Sequence, residues 1–315
     1  MTVWIRNLKR MREYPSAIIG LVVIAFLAAL SLITVFKIPY GEAARLWRGG
    51  EIWENSPKNA SPLWFDWFDR QALPRTIVVD ADEAVPRSIT TGAGDTTEIS
   101  TTLAFDYPYD GFPPEMTLYL DSTYATRRPH VSLMWVTPDG REIRISEVTP
   151  KQSDSYRFTQ DKTLKRRLRS ATVEQGLFDD PAVEGVAPLK GRYQLRVKGR
   201  LFEKDSSLTA KLVVYGKVHG WAGTDHTRRD LLIALLWGTP VAMSFGLLAA
   251  TITTFTTMSI AAFGVWNGGI VDSLIQRVCE VNMILPMLPI LIMVGTFYKR
   301  SLPVMLAVVI ALSLF

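Results

Sequence analysis

The sequence predicts a mixed fold. It is an α-helical multi-pass membrane protein, with helices over about residues 15–36, 238–265 and 281–298 and an incomplete one over 302–315. An extracytoplasmic β-sandwich or jelly-roll-like domain is inserted between the first two helices. Three observations predict it. Of the 65 charged residues, only five fall in residues 1–36 and five in 231–315, so the flanks are nearly hydrocarbon while the middle has a soluble composition. Each flank carries uncharged runs of membrane-spanning length. The middle carries apolar–polar alternation with the period of a strand. The implied organisation is 1–38 as cytoplasmic N-terminus and first helix, 39–74 as a tryptophan-rich juxtamembrane segment, 75–220 as the β domain, and 221–315 as the start of a transmembrane domain.

Residues 14–36 contain no charge and are rich in Ile, Leu, Val and Ala. About 20 such residues cross a hydrocarbon core. Arg6, Lys9, Arg10 and Arg12 precede the run against Glu13 alone, so the positive-inside bias places the N-terminus in the cytoplasm. A signal peptide would have a shorter apolar region ending in small residues, whereas this run ends Thr34-Val35-Phe36-Lys37, which points to a retained anchor. The middle segment then lies outside, and helix two returns inward. A polar loop over 266–280, bearing Asp272, Arg277 and Glu280, is expected in the cytoplasm. Helix three runs out to the charged pair Lys299-Arg300, and residues 301–315 are too short to cross, as if the chain were cut inside a fourth helix.

Trp47, Trp53, Trp64 and Trp67 fall within 21 residues, among Gly49, Gly50, Pro57 and Pro62. Tryptophan clustered beside a membrane helix suits an interfacial belt. A stacking surface for a sugar or peptide and an ordinary core position are the alternatives. The same four residues are candidates for contact with a partner protein, because aromatic residues are enriched at the centres of interfaces.

In the β domain, Met116, Leu118 and Leu120 alternate with polar neighbours, as do Val131, Leu133 and Trp135. Thr137-Pro138-Asp139-Gly140 is a turn sequence, and Ile143 and Ile145 follow it, so 130–146 reads as a hairpin. Tyr193, Leu195 and Val197 mark another strand, and 208–218 a further one. A single helix is expected over 161–175, with Leu164, Leu168 and Ala171 on its inner face and five basic residues on its solvated side, where anionic headgroups or an acidic partner could also bind.

The chemistry of catalysis is missing. His130, His219 and His226 have no metal-ligand spacing, and H-E-x-x-H, G-x-S-x-G and phosphate-loop sequences are not found. One cysteine, Cys279, excludes a disulfide framework. The excess of 35 Lys and Arg over 30 Asp and Glu is spread thinly rather than gathered into a basic face, so nucleic acid is not an expected partner. No cofactor and no metal is expected.

Gly223-Thr224-Asp225-His226-Thr227-Arg228-Arg229-Asp230 resembles the G-T-D-x-x-G-R-D stretch of the dipeptide/oligopeptide ABC-transporter permeases, nearest to the C-type subunit. Further matches follow in order: Gly238 and Gly246, Gly268-Gly269 with Asp272, then Arg277, Glu280 and Pro286. The basic N-terminus with Tyr14-Pro15 also looks like the family. The resemblance covers about 1–40 and 220–315. It implies a subunit that forms half of a translocation path in the bacterial inner membrane. Its implied partners are a second permease subunit, two ATPase subunits and an extracytoplasmic substrate-binding protein, with the lipid bilayer around it. The ATPase partners hydrolyse ATP, and this chain catalyses nothing. Arg228 departs from the family's glycine, and Thr257 and Ala261 also replace glycines. The EAA loop that docks the ATPase is missing before Phe315, and the β domain has no counterpart in ordinary members. The motif residues then have topogenic, packing or gating roles. The reading from a different class is a membrane-anchored binding or sensor protein whose β domain is the working part.

Overall fold

The computed structural model describes residues 14–68, 72–81, 85–91, 96–183, 185–203, 205–297 and 301–313, with backbone alone for 85–91. The basic cluster at 6–13, Lys299-Arg300 and Phe315 lie outside the described residues. The chain forms two compact units: Met1–Ala43 with Leu235–Phe315, and Ala44–Ala234.

In the first unit, helix α1 spans Pro15–Lys37. Pro15 starts it, at a position where its missing N–H costs nothing. Pro39 stops it by driving Ile38 out of the helical region, to φ −121° and ψ 98°. Helix α2 follows at once over Tyr40–Arg48, with Glu42 in its first turn and Arg45 and Arg48 in its last, an arrangement that complements the helix dipole. It runs into the second unit and ends at Gly49 and Gly50, both at positive φ.

Among the described residues, two helices, α1 and a 37-residue one at Leu231–Asn267, are long and apolar enough to cross a membrane. The latter exceeds the expected 238–265 because nothing charged interrupts the run after Asp230.

The third expected span is different in kind. The stretch 266–280, expected as a loop, is helical over Gly269–Ile284, supported by Asp272–Gln276 and Arg277–Glu280 pairs one turn apart. The break lies at Leu285-Pro286, and a second helix follows over Met287–Phe297 at 77° to the first. Pro286 therefore sits between two helices rather than early in one of 281–298. It holds Leu285 in an extended conformation, at ψ 125°. The pair makes one further crossing if it acts as a single broken span. A last helix covers Leu302–Leu312.

The second unit is built on two antiparallel sheets. Its strands are β1 (Ile77–Asp80), β2 (Val85–Thr91), β3 (Thr97–Tyr107), β4 (Met116–Thr123), β5 (His130–Val136), β6 (Glu142–Val148), β7 (Ser153–Arg157), β8 (Gly191–Leu201) and β9 (Ser207–Val214). The sheet orders are β1-β9-β4-β7 and β2-β3-β8-β5-β6. The alternating residues named from sequence in β4, β5 and β8 all point into one core, shared by both sheets and closed by Phe105, Tyr107, Phe158 and Phe178. Trp135 is fully buried there and donates its indole N–H to the Leu177 carbonyl, which satisfies its one polar atom. The 130–146 hairpin closes through Gly140 at φ +86°, whose N–H reaches the Thr137 carbonyl.

The single helix expected at 161–175 is two short ones, α3 (Lys162–Leu168) and α4 (Val173–Phe178). Arg169 turns left-handed at φ +53°, and a second cap, Thr172, restarts the helix. The two fold back so tightly that a Cβ on Gly176 would lie 2.7 Å from the Leu168 Cβ. Leu164 stays buried, while Ala171 falls in the break and is exposed, which removes it from the expected inner face.

Candidate functional site

The motif 223–230 forms a compact turn at the head of the Leu231–Asn267 helix, α5. Every contact described for it lies within the Ala44–Ala234 unit. Segment 59–63 runs alongside 217–225 and supplies the floor. Asn59 N–H reaches the Asp225 carbonyl, Ser61 that of Lys217, and Leu63 that of Gly220. Gly223 has φ +76°, and a Cβ there would stand 2.3 Å from the Ala60 carbonyl oxygen. No side chain fits, so glycine is required at this position. Thr224 is buried. Its Oγ1 accepts from Ala60 N–H at 3.0 Å and donates to the Pro57 carbonyl at 2.7 Å, which satisfies the hydroxyl away from water.

Asp225 organises the turn. Its Oδ1 accepts from the Thr227 N–H and the Arg229 N–H, and its Oδ2 accepts from Arg229 Nε at 2.8 Å. Partial burial pushes the carboxyl pKa upward, but the hydrogen bonds from Thr227 and Arg229 outweigh it and bring the value down to about 2. The group is therefore a permanent anion near neutral pH. Arg229, so anchored, lies over the Trp47 ring at 3.9 Å and donates to the Trp47 carbonyl. Asp230 caps α5 by accepting from Leu232 N–H at 2.8 Å, and Leu231 N–H is taken by the Gly223 carbonyl.

Arg228, which stands where the resembling permease stretch has glycine, occupies left-handed backbone at φ +70°. That conformation explains a glycine preference, since other residues pay a steric cost there. Here the cost is offset by contacts only a long cation can make. The guanidinium stacks 3.9 Å from the Tyr215 ring, donates to the Ser56 carbonyl at 2.7 Å, and pairs with Glu115 at 2.9 Å. Glu115 immediately precedes β4, and Tyr215 follows β9, where it hydrogen-bonds Tyr119 and the Glu54 carbonyl. Lys211 of β9 pairs with Glu54. The turn, the tryptophan-rich segment and the four-stranded sheet are thus one clamped assembly.

The tryptophans divide into two sets. Trp47 supports Arg229, and Trp53 donates its indole N–H to the Leu46 carbonyl. Trp64 donates to the Trp221 carbonyl, and Trp67 is 80% exposed. The other motif residues lie in the first unit. Gly268 and Gly269 both take positive φ and turn the chain between α5 and the Gly269–Ile284 helix, α6. Asp272 sits close to Gly264 at that corner, and a Cβ on Gly264 would be 2.9 Å from Ile275. Arg277 and Glu280 form an exposed pair that contributes little stability. Residue types alone did not single out Glu115, Tyr215, Ser56 or Lys211, because their role depends on strand ends meeting a distant turn. The Arg228 departure was the one readable sign. Among the described residues, no three His, Cys, Asp or Glu converge as metal ligands.

No family model matches the chain. The peptidoglycan transport system permease protein YejE of Agrobacterium fabrum (strain C58 / ATCC 33970) is 27% identical over 93 residues. These make up 30% of this chain and 24% of that protein, so the chain aligns with about a quarter of the relative's length. This is a weak and partial likeness to a transport permease. Among solved structures, the carbohydrate-binding module TmCBM61 in complex with β-1,4-galactotriose overlaps at a TM-score of 0.22 and 11% identity, covering 52% of this chain and 96% of that one. The structure of infectious bursal disease virus, Gx strain, overlaps at 0.24 and 11%, covering 49% and 34%. Overlaps this loose transfer no property to the chain.

Proposed function

We propose that the chain is a permease subunit of an ABC importer of the peptide/oligopeptide or nickel class. It spans the bacterial inner membrane several times, with the N-terminus and residues 266–280 cytoplasmic and about 40–225 outside. It forms half of the translocation path. A second permease subunit completes that path, two ATPase subunits energise it, and an extracytoplasmic binding protein delivers substrate. The chain carries no catalytic group. The observation that supports this most is the ordered Gly223–Asp230 turn capping an apolar 37-residue helix, in a chain with partial likeness to a transport permease. In this reading the clamp makes the head of α5 move with the β domain, so that a partner docking on the domain acts on the helix.

The test is purification of the natural full-length protein from its own membranes. A co-purifying ATPase whose activity rises with an extracytoplasmic binding protein, and falls in Asp225→Ala, is the expected result. Purification without any ATPase partner would reject the reading. A binding or sensor role for the β domain draws on one feature, a groove of about 570 Å³ on the five-stranded sheet, lined by Glu98, Ser100, His130, Glu147, Lys198 and Arg200. Tight binding of a small solute there, without transport, would favour it.

A further inference from the structure

Large apolar side chains of the Ala44–Ala234 unit are mostly interior. Among the described residues, the exposed ones gather at 47–68 and at Trp221, apart from Val183 and Val186. Trp67 and Phe68 are each 80% exposed and Trp221 71%. Trp67 and Phe68 close the short helical turn that holds Trp64 and Phe65, and Trp221 is tied to that turn. The Trp64 ring lies 4.8 Å from that of Phe65 and 6.2 Å from that of Phe68, and its N–H ties it to the Trp221 carbonyl. A contiguous aromatic surface of this kind marks an interaction site.

We propose that Phe65, Trp67, Phe68 and Trp221 insert into the headgroup region of the bilayer and seat the β domain on the membrane surface. The inference rests on the membrane reading above, but not on transport. Three observations select lipid over a protein partner. First, the patch sits at the head of an apolar helix within the same unit: Leu63 N–H bonds the Gly220 carbonyl, and three residues on, the Gly223 carbonyl takes Leu231 N–H in the first turn of α5. Trp221 is therefore two residues from the carbonyl that holds the first turn of that apolar helix. Second, Trp67 and Trp221, the most exposed tryptophans of this unit among the described residues, each join an apolar ring to a polar N–H, the kind of ring enriched at membrane–water interfaces. Third, its edge is polar, with Asp66 paired to Arg75 at 3.3 Å. The four tryptophans of 47–67 thus divide: Trp47 braces the motif turn and Trp53 ties back to the Leu46 carbonyl, while Trp64 supports the lipid-facing rings, of which Trp67 is one.

The experiment uses the whole chain with Cys279→Ser, reconstituted in phosphatidylcholine/phosphatidylglycerol vesicles. Single cysteines are placed by Trp67→Cys, Phe68→Cys or Trp221→Cys and labelled with an environment-sensitive fluorophore. Lipids carrying a nitroxide near the headgroup, and in a separate preparation in the middle of the acyl chain, serve as quenchers for the patch positions and for Phe255 respectively. Lys151→Cys, on the exposed β6–β7 connection, reports water, and Phe255→Cys, exposed on α5, reports the hydrocarbon core. The proposal expects quenching at 67, 68 and 221 several-fold above that at 151. Quenching at Phe255 with none at the three patch positions would overturn the proposal and leave the membrane reading standing. Absence of quenching at Phe255 as well would overturn both. Shielding of the patch labels from water-soluble quencher only when a co-purified protein is present, without lipid quenching, would assign the patch to that protein and reject lipid.

Discussion

Gly223 and Asp225 do different work in the same turn, and each gives a separate test. The backbone at Gly223 is left-handed and pressed against the Ala60 carbonyl, so Gly223→Ala must both strain φ and push two segments apart. The expected loss is on the order of 2–4 kcal/mol, seen as a lower melting temperature of the detergent-solubilised protein. Gly238→Ala is the matched control, because nothing lies within 4 Å of the added methyl, and it should be neutral or slightly stabilising. Asp225 carries a pH signature. Its folded pKa, about 2, is below the ordinary aspartate value of about 3.9, so the folded state favours the ionised form. The stabilisation is complete above the ordinary value and disappears as pH falls toward 2, a loss of about 1–2 kcal/mol once solvent screening is allowed for. Asp225→Asn should be less stable at neutral pH, and its acid-side stability curve should be flatter over that window. An unchanged slope would mean that the carboxylate does not hold the turn.

Pro286 acts on an element rather than on a contact. With its N–H restored, Pro286→Ala removes the reason for Leu285 to be extended, and α6 and the Met287–Phe297 helix, α7, should join into a straighter span. Spin labels at the exposed positions Leu274 and Ile292 should move apart, and an unchanged distance would place the cause of the 77° bend elsewhere. Elements with strong local signals were legible. Strands β4, β5 and β8 followed from alternation, the hairpin from Thr137–Gly140, and α1 from its apolar run. The alternation of Ile99, Leu103, Phe105 and Tyr107 in β3 is equally regular, and Thr101 fills one inward position as a buried polar residue. β7, all exposed but for a half-buried Tyr156, lacks that signal, because an edge strand of polar residues is defined only by its partner β4. Helix breaks were read poorly for a related reason. Arg169 adopts positive φ because α4 folds back on α3 at Gly176, a tertiary demand that residue types do not announce. The motif turn was legible as a string, but its clamp to Glu115 and Tyr215 was not, since those residues are more than 100 and 10 positions away, respectively.

At the scale of the molecule, the inserted domain and the motif turn are expected to be energetically coupled, and Arg228 measures the coupling. In the intact chain its left-handed backbone costs about 1 kcal/mol, which the Glu115 pair, the Ser56 bond and the Tyr215 ring more than offset. Arg228→Gly should therefore destabilise the intact protein, by about 1–2 kcal/mol. Replacing 75–218 with a short Gly/Ser bridge removes Glu115 and Tyr215 together and leaves only the Ser56 carbonyl, of these three contacts, to offset the strain. In that shortened chain Arg228→Gly should cost clearly less than in the intact protein. The difference is a double-mutant cycle between a residue and a domain, and it isolates their interaction from the general damage of excision. The proposed function adds an activity readout. The shortened transporter should still assemble, with its binding-protein-stimulated ATPase reduced, because a partner on the domain could no longer act on the head of α5. If Arg228→Gly costs the same in both chains, the clamp stores no coupling. If stimulation and uptake survive excision unchanged, the domain does not relay docking to the helix.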